Sequence, residues 1–364
     1  MIDSHCHPIA PAGGPLDVAA ISLDVEPGMA AAERRRALGG GRLWHELLLV
    51  RLADHLGCAV EEVADARAEA SRDWPAYVGG LLRAAGLEGL VVDPGWGPLA
   101  SGGLAATAAA AGCPVRPILR LEPLIDEAIA EGATAQECCA TLDAAVREAV
   151  AAGYRGLKTV LAYRTGLAVD PQADLARAEA SLRQDQDLPV RRRGTACRDW
   201  LLREALGWAA ELDWPVQVHT GFGDSEIRLA EADPLLLGEL LRSPEGGAAT
   251  VVLIHGAYPW HEAVAHLALT HPNVYAECSL FNLFAPALVA DRLLRILELA
   301  PAAKVLVGTD GHGEPETHWF AARVAQEAFS AVRERCLQLG ARRSWLDEVE
   351  TAIFSANTAR LYDF

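Results

Sequence analysis

The sequence predicts an α/β protein, a (β/α)8 TIM barrel with a helical insertion between strands 1 and 2. Three observations carry this. Eight short β-rich runs alternate with helical stretches, the pattern of parallel βα units. A count of eight favours a closed barrel over an open sheet. Each run also ends at or near an ionisable residue, where barrels place their chemistry. A chain of 364 residues has room for one large barrel, and we read a single unit over 1–364.

The first run is Met1-Ile2-Asp3-Ser4-His5-Cys6-His7, a short apolar start leading into two histidines one residue apart. Side chains at i and i+2 of a strand share a face, so His5 and His7 aim two imidazoles at one point. Imidazole suits Zn, Fe, Ni or Cu. Cys6 then points the other way, into the core. Residues 8–30, rich in Pro, Gly and Ala, read as a long loop. Residues 31–86 read as helical. Leu43, Trp44, Leu47, Leu48, Leu52 and Leu56 recur at helical spacing, and further helical runs follow at 60–70 and 74–85. That is too much helix for one connection, so 31–86 is taken as an insertion or cap.

The remaining runs are 89–93, 114–121, 156–161, 215–219, 250–255, 273–277 and 304–310. Helical patterns at 123–152, 197–212, 233–243, 259–271, 286–300 and 316–340 separate most of them. Residues 163–195 read as an irregular polar insertion ending in Arg191-Arg192-Arg193, a solvated loop or interface patch.

Composition narrows the function. Lys+Arg minus Asp+Glu is 32 − 49 = −17, which argues against a nucleic-acid or anionic-membrane surface. The eight cysteines include no CxxC pair, and with no signal-peptide pattern they read as reduced cytosolic thiols. No apolar run approaches ~20 residues, so no membrane span is expected. The expected protein is cytoplasmic and acts on a small molecule.

The polar residues at the strand ends are His5, His7, Asp93, Arg120, Glu122, Lys158, His219, His255, Glu277 and Asp310. Buried ionisable groups are costly unless paired or metal-bound, and a metal cation is the simplest reason for so many to converge. A His-x-His on strand one, histidines on strands five and six and an aspartate on strand eight resemble the metal-site pattern of the amidohydrolase superfamily. Local words are more specific: Gly156-Leu157-Lys158-Thr159, Ala162-Tyr163-Arg164-Thr165-Gly166-Leu167, His219-Thr220-Gly221-Phe222-Gly223-Asp224, Ile254-His255-Gly256-Ala257-Tyr258-Pro259, Thr309-Asp310-Gly311 and the ending 354–362. They resemble the amidohydrolase-2 group. Within it they look like the branch fused to glutamine-synthetase-like proteins and the stand-alone γ-glutamyl-amide hydrolases.

The resemblance implies one or two divalent metals, Zn first and Fe or Mn as alternatives. The ligands would be His5, His7, His219 and Asp310, with His255, Lys158 and Glu277 as further candidates. A metal lowers the pKa of bound water to near ~7. Asp310 would relay a proton to the leaving amine, and His255 would hold a second metal or stabilise the developing oxyanion. Lys158 lies where binuclear relatives carry a carboxylated bridging lysine, or it stays a cation that polarises the substrate. Arg164 is a candidate grip on a substrate carboxylate. The leading reading is therefore hydrolysis of a C–N bond in a small, carboxylate-bearing amide. The alternatives are a decarboxylase, a dinuclear iron monooxygenase, or a metal-bearing scaffold subunit of a hetero-oligomer. A homo-oligomer, or a hetero-oligomer with a homologous subunit, is expected. His312, Glu314, Glu316 and His318 either extend the site or start a helix. Asp93, Trp96 and Asp224 read as loop and pocket structure. Cys278, like Cys6, reads as core, and His45, His55, His261, His266 and His271 as surface or packing residues.

Overall fold

Short runs of Val, Ile and Leu, bounded by Gly, Pro and Asn, form nine parallel strand segments in this computed structural model, which describes residues 1–16, 21, 23, 42–95 and 103–364. The segments are β1 (Ile2–Cys6), β2 (Gly89–Val92), β3 (Val115–Pro117), β4 (Leu119–Arg120), β5 (Leu157–Thr159), β6 (Val216–His219), β7 (Val251–Ile254), β8 (Val274–Cys278) and β9 (Val305–Val307). β1-β2-β3 form one ladder and β4 through β9 another. β3 and β4 share one barrel position. The Ile118 N–H between them donates to Val92 O at 2.9 Å, and the Leu119 N–H donates to Gly156 O at 2.9 Å. Across the remaining seam the Asp310 N–H donates to His5 O (2.9 Å) and the His7 N–H to Gly311 O (2.8 Å). Eight positions result, as the alternation in the sequence predicts.

Alternate residues of the strands divide between two cores. Val91, Ile118, Val252, Ile254, Tyr275 and Leu306 form a small cluster, which Tyr362 joins from the last helix, Asn357–Tyr362. The opposite faces, Cys6 and Cys278 among them, pack in a larger core with the surrounding helices. Cys6 Sγ lies 3.4 Å from Val91 O, so the thiol is core as its register predicts.

Two expectations are corrected. The stretch 163–195 is not wholly irregular, because it contains the helix Leu175–Gln184. Asp174 caps it by accepting from the Arg177 N–H at 2.8 Å. Its arginine run is exposed at Arg191 yet held by partners: Arg191 pairs with Glu226, and Arg192 reaches Arg164 O and Glu231. The pattern at 123–152 is two helices, Glu122–Ala130 and Ala135–Ala151. Gly132 turns the chain at φ 82°, and a Thr134/Glu137 capping box starts the second helix. Residues 17–20, 22, 24–41 and 96–102 lie outside the described residues. Most of the 8–30 loop, the start of the 31–86 insertion and Trp96 fall there. Among the described residues no helix is long and apolar enough to cross a membrane.

The described part of the insertion holds the helices Leu43–Leu56, Val63–Ala70 and Trp74–Ala84. A buried ion pair pins it to the barrel. Arg67 Nε donates to Glu316 Oε1 at 2.7 Å, and the Tyr77 hydroxyl donates to the same oxygen at 2.7 Å. The guanidinium also pairs with Glu314 and lies 5.2 Å from the Trp74 ring centroid. Removing one member of a buried pair strands the other charge, at about 3–5 kcal/mol, whereas replacing both with apolar groups is often neutral. Arg67→Met should therefore lower stability by about that amount. The Arg67→Met/Glu316→Leu double variant should be more stable than the single one, as read by urea denaturation.

Candidate metal centre

The strands deliver four imidazoles and one carboxylate to the same end of the barrel. His5 and His7 flank the end of β1, His219 closes β6, His255 follows β7 and Asp310 follows β9. His255 and Asp310 have left-handed backbones (φ 71° and 54°), an uncommon conformation that non-glycine residues hold where the surroundings over-determine it. The His5 carbonyl takes the Asp310 N–H, and Glu277 Oε2 takes the His255 N–H at 3.2 Å.

Asp310 Oδ1 lies 3.0 Å from His5 Nε2 and 3.3 Å from His7 Nε2. Donor atoms of His5, His255 and Asp310 all fall within 4.8 Å of one another. His219 Nδ1 meets His255 Nε2 at 3.0 Å. His7 Nδ1 donates to Asp93 O at 3.0 Å, which turns its Nε2 lone pair toward Asp310. His219 Nε2 donates to Phe222 O at 3.1 Å, leaving Nδ1 to face His255. Burial and the nearby Lys158 charge lower the His5 pKa to about 4. Burial likewise holds His219 and His255 well below the usual histidine value. All three are neutral near pH 7, the state that offers a lone pair to a metal. Burial alone would raise the Asp310 carboxyl, but the surrounding histidines outweigh it and hold it well below the usual carboxylate range.

This set fits a divalent cation. Both ring nitrogens of His5 and Asp310 Oδ1 are buried with no aligned hydrogen bond, even though His5 Nε2 and Asp310 Oδ1 are 3.0 Å apart. Leaving such groups unsatisfied costs about 1–3 kcal/mol each. A cation between them would satisfy both, and nitrogen and carboxylate donors suit Zn and its neighbours.

Glu277 is not brought to this cluster. Its oxygens accept from Ser4 Oγ (2.9 Å), Ser279 Oγ (2.7 Å) and the His255 N–H. Ser279 Oγ in turn contacts His255 Nδ1 at 2.8 Å. Glu277 thus acts on His255 through a serine that the sequence reading missed; its signal is the i+2 spacing from Glu277. Asp3 was missed too. It accepts from the Thr309 N–H (2.9 Å) and the His5 N–H (3.2 Å), fixing β1 against the Asp310 turn. Gly308 leaves room for this layer, since a Cβ there would sit 2.4 Å from Glu277 Oε1.

Lys158 is buried on β5, where burial lowers its pKa to about 8. Beside it, Asp93 Oδ2 accepts from Arg120 Nε (2.9 Å) and Nη2 (2.6 Å). Arg164 is committed to Asp126, with Nε and Nη2 both 2.9 Å from Oδ2, while Arg198 holds the other oxygen at 2.7 Å. Glu122 is buried and accepts from Thr159 Oγ1. In the run after Asp310, His312 Nδ1 donates to Asp310 O at 3.0 Å, Glu316 is the partner of Arg67, and His318 is buried against Gly311. The backbone N–H of Asp224 donates to the Tyr163 hydroxyl at 3.3 Å, and the Tyr163 ring packs 4.6 Å from His219. Of the other histidines, His45, His261 and His271 are buried, His261 donating to Gly256 O at 2.8 Å.

A parallel eight-position barrel with imidazoles and an aspartate at its strand ends defines the class of amidohydrolase-type barrels. The chain belongs to the amidohydrolase family, whose amidohydrolase-2 profile matches residues 126–364. A protein from Lactobacillus casei ATCC 334, described as a metal-dependent hydrolase, superposes with a TM-score of 0.86 at 25% identity, over 100% of this chain and 95% of that one. The uronate isomerase of Thermotoga maritima superposes at 0.67 with 16% identity, over 100% and 94% of the two chains, a likeness of fold. Protein fluG of Emericella nidulans is 33% identical over 197 residues, which is 49% of this chain and 22% of that much longer protein.

Two outcomes are expected. His5→Ala/His7→Ala should lose the stoichiometric metal that the wild-type protein retains through gentle purification, read by elemental analysis. The second concerns pH. Burial raises Glu277 from 4.5 to about 8 and Asp3 from 3.8 to about 7. A carboxyl with a raised folded pKa contributes stability that is complete below its unfolded value and is lost as pH climbs through the folded one. The lowered histidines act oppositely, but their contribution is complete above 6.5. Metal-free protein should therefore lose stability between pH 6.5 and 8, and Glu277→Gln should flatten that decline in urea midpoints.

Proposed function

We propose that the protein is a metal-dependent amidohydrolase that cleaves the C–N bond of a small, carboxylate-bearing amide. The observation that carries this reading is the convergence of His5, His7 and Asp310 on one point, with His5 and Asp310 donor atoms left without aligned hydrogen bonds. Sequence words around Lys158, His219, His255 and Asp310 favour γ-glutamyl amides as the first substrates to try. His5, His7, His219 and Asp310 would hold the metal, Zn first, with His255 beside them.

A divalent cation held there would acidify water to near ~7 and polarise a carbonyl. The protein's own groups do the rest. Asp310, kept ionised by its neighbours, accepts a proton from the attacking water and passes it to the leaving amine. His255, oriented through Ser279, would turn its Nε2 to the metal beside His219 Nδ1, 3.0 Å away. The Tyr163 ring packs against His219, and the Phe222 carbonyl holds its Nε2 so that Nδ1 faces the centre.

Zn-loaded protein should release amine from at least one γ-glutamyl amide in a panel. Asp310→Asn should lower kcat by about 10²–10⁴-fold. Metal content measured on the same sample separates loss of the proton carrier from loss of the ion. A wild-type protein with full metal and no amine release across the panel would remove the hydrolase reading.

A further inference from the structure

A cavity separate from the metal centre opens on the same face of the barrel. It has a volume of about 440 Å³ and is walled by three elements that are far apart in the chain. The insertion contributes Arg42 and Trp44, at the start of the helix Leu43–Leu56. The loop after β6 contributes Phe222, and the segment after β8 contributes Phe284, Leu288 and Arg292. Small-molecule sites are typically clefts of ~300–1,000 Å³, mostly apolar, with a few fixed polar groups. The Trp44 and Phe284 rings meet edge-on, 5.1 Å between centroids. Two contacts join this wall to the metal centre. The Phe222 carbonyl holds His219 Nε2 at 3.1 Å. The Phe284 ring stacks on His312 at 6.1 Å, and His312 Nδ1 reaches Asp310 O. The cavity therefore lies beside the candidate ligands, and none of them lines it among the described residues.

The charged groups of the wall share one sign. Among the described residues that line it, Arg42 and Arg292 are basic and none is acidic. Arg292 is fixed by its position over the Tyr258 ring (5.1 Å) and the Phe281 ring (5.8 Å), and its Nη1 donates to Ala285 O at 2.5 Å. That leaves further donors of its planar fork, which matches a carboxylate. Neither arginine forms an ion pair among the described residues, and Asp291, the acidic neighbour of Arg292 on its helix, is exposed. We propose that this cavity binds a flat apolar group that carries a carboxylate. The ring lies against Trp44, Phe222 and Phe284, and the carboxylate meets Arg292, with Arg42 adding to the positive field. The inference rests on the hydrolase reading only in assigning this group to the amine half of the substrate, since a polar γ-glutamyl half gains nothing from an apolar wall. Under that assignment the insertion selects the leaving amine.

The test uses full-length, Zn-loaded protein and calorimetry with three probes: 3-phenylpropanoate, its uncharged amide 3-phenylpropanamide, and propanoate, which lacks the ring. Wild type should bind 3-phenylpropanoate at least about tenfold tighter than either of the others, which corresponds to about 1.4 kcal/mol. Arg292→Gln should remove the preference over the amide and leave metal content unchanged. Ala287→Trp, which fills the cavity from an exposed position of its wall, should weaken 3-phenylpropanoate by at least about tenfold, again with metal content unchanged. The proposal is overturned if wild type shows no preference for 3-phenylpropanoate over the amide or over propanoate. It is also overturned if either variant binds 3-phenylpropanoate as wild type does, since the carboxylate would then sit elsewhere, on the metal ion for instance. If Arg292→Gln does not fold, the wild-type series and Ala287→Trp still decide. Selective binding without amine release from any γ-glutamyl amide would sink the hydrolase reading and leave the cavity standing. Amine release by a protein that binds none of the probes would do the reverse.

Discussion

The contact between Asp310 and the two β1 histidines is the constraint on which the rest depends. It crosses the seam where the first and last strands meet, so barrel closure and ligand convergence are one event. The backbone at this seam is bound in both directions, Asp310 N–H to His5 O and His7 N–H to Gly311 O. Asp3 adds a side-chain link to Thr309. An error in strand register here would misplace three donors at once, because a one-residue slip turns a strand's side chains to the other face. Concentrating polar satisfaction at this seam explains how so many ionisable groups stay buried. Each either finds a fixed partner beneath it or faces the centre.

Around that seam the support is layered. Directly below the imidazoles lie Ser4, Glu277, Ser279 and Thr309, all buried. Below them is the apolar plug ending in Tyr362. Polar groups that orient metal-ligating histidines typically matter nearly as much as the ligands themselves. Here the middle layer also separates the charged end from the apolar one. Gly308 permits this stacking, since any side chain there would meet Glu277 and His5.

Much of this was legible in the sequence. The alternation of β-rich and helical runs, the His5/His7 spacing and the position of Asp310 after its strand led to the barrel and to the end that carries chemistry. Local periodicity reports which face a residue occupies, and it placed Cys6 in the core. It does not report which distant group a side chain meets. Arg164 has the composition of a substrate grip, yet Asp126, 38 residues away, claims it. Glu277 has the position of a ligand, yet two serines and a backbone N–H take it. Arg191 of the run 191–193 stays exposed as expected, but the acceptors that hold the run, Glu226 and Glu231, lie on another loop. In each case a tertiary partner decided, and such partners leave no local period. The helix 175–184 was overlooked for a different reason, because a ten-residue amphipathic helix in a charged stretch resembles loop composition.

The buried Arg67–Glu316 pair has a consequence for how this fold can change over evolutionary time. Glu316 opens the helix that starts five residues after Asp310, and its carboxylate is satisfied by the insertion. The insertion is therefore not a detachable accessory. A lineage that trimmed it would expose or strand an anion next to the catalytic end, so loss requires a second change at position 316. The two segments should be inherited together and exchanged together. Grafting the insertion onto another barrel would need its acidic counterpart to travel with it.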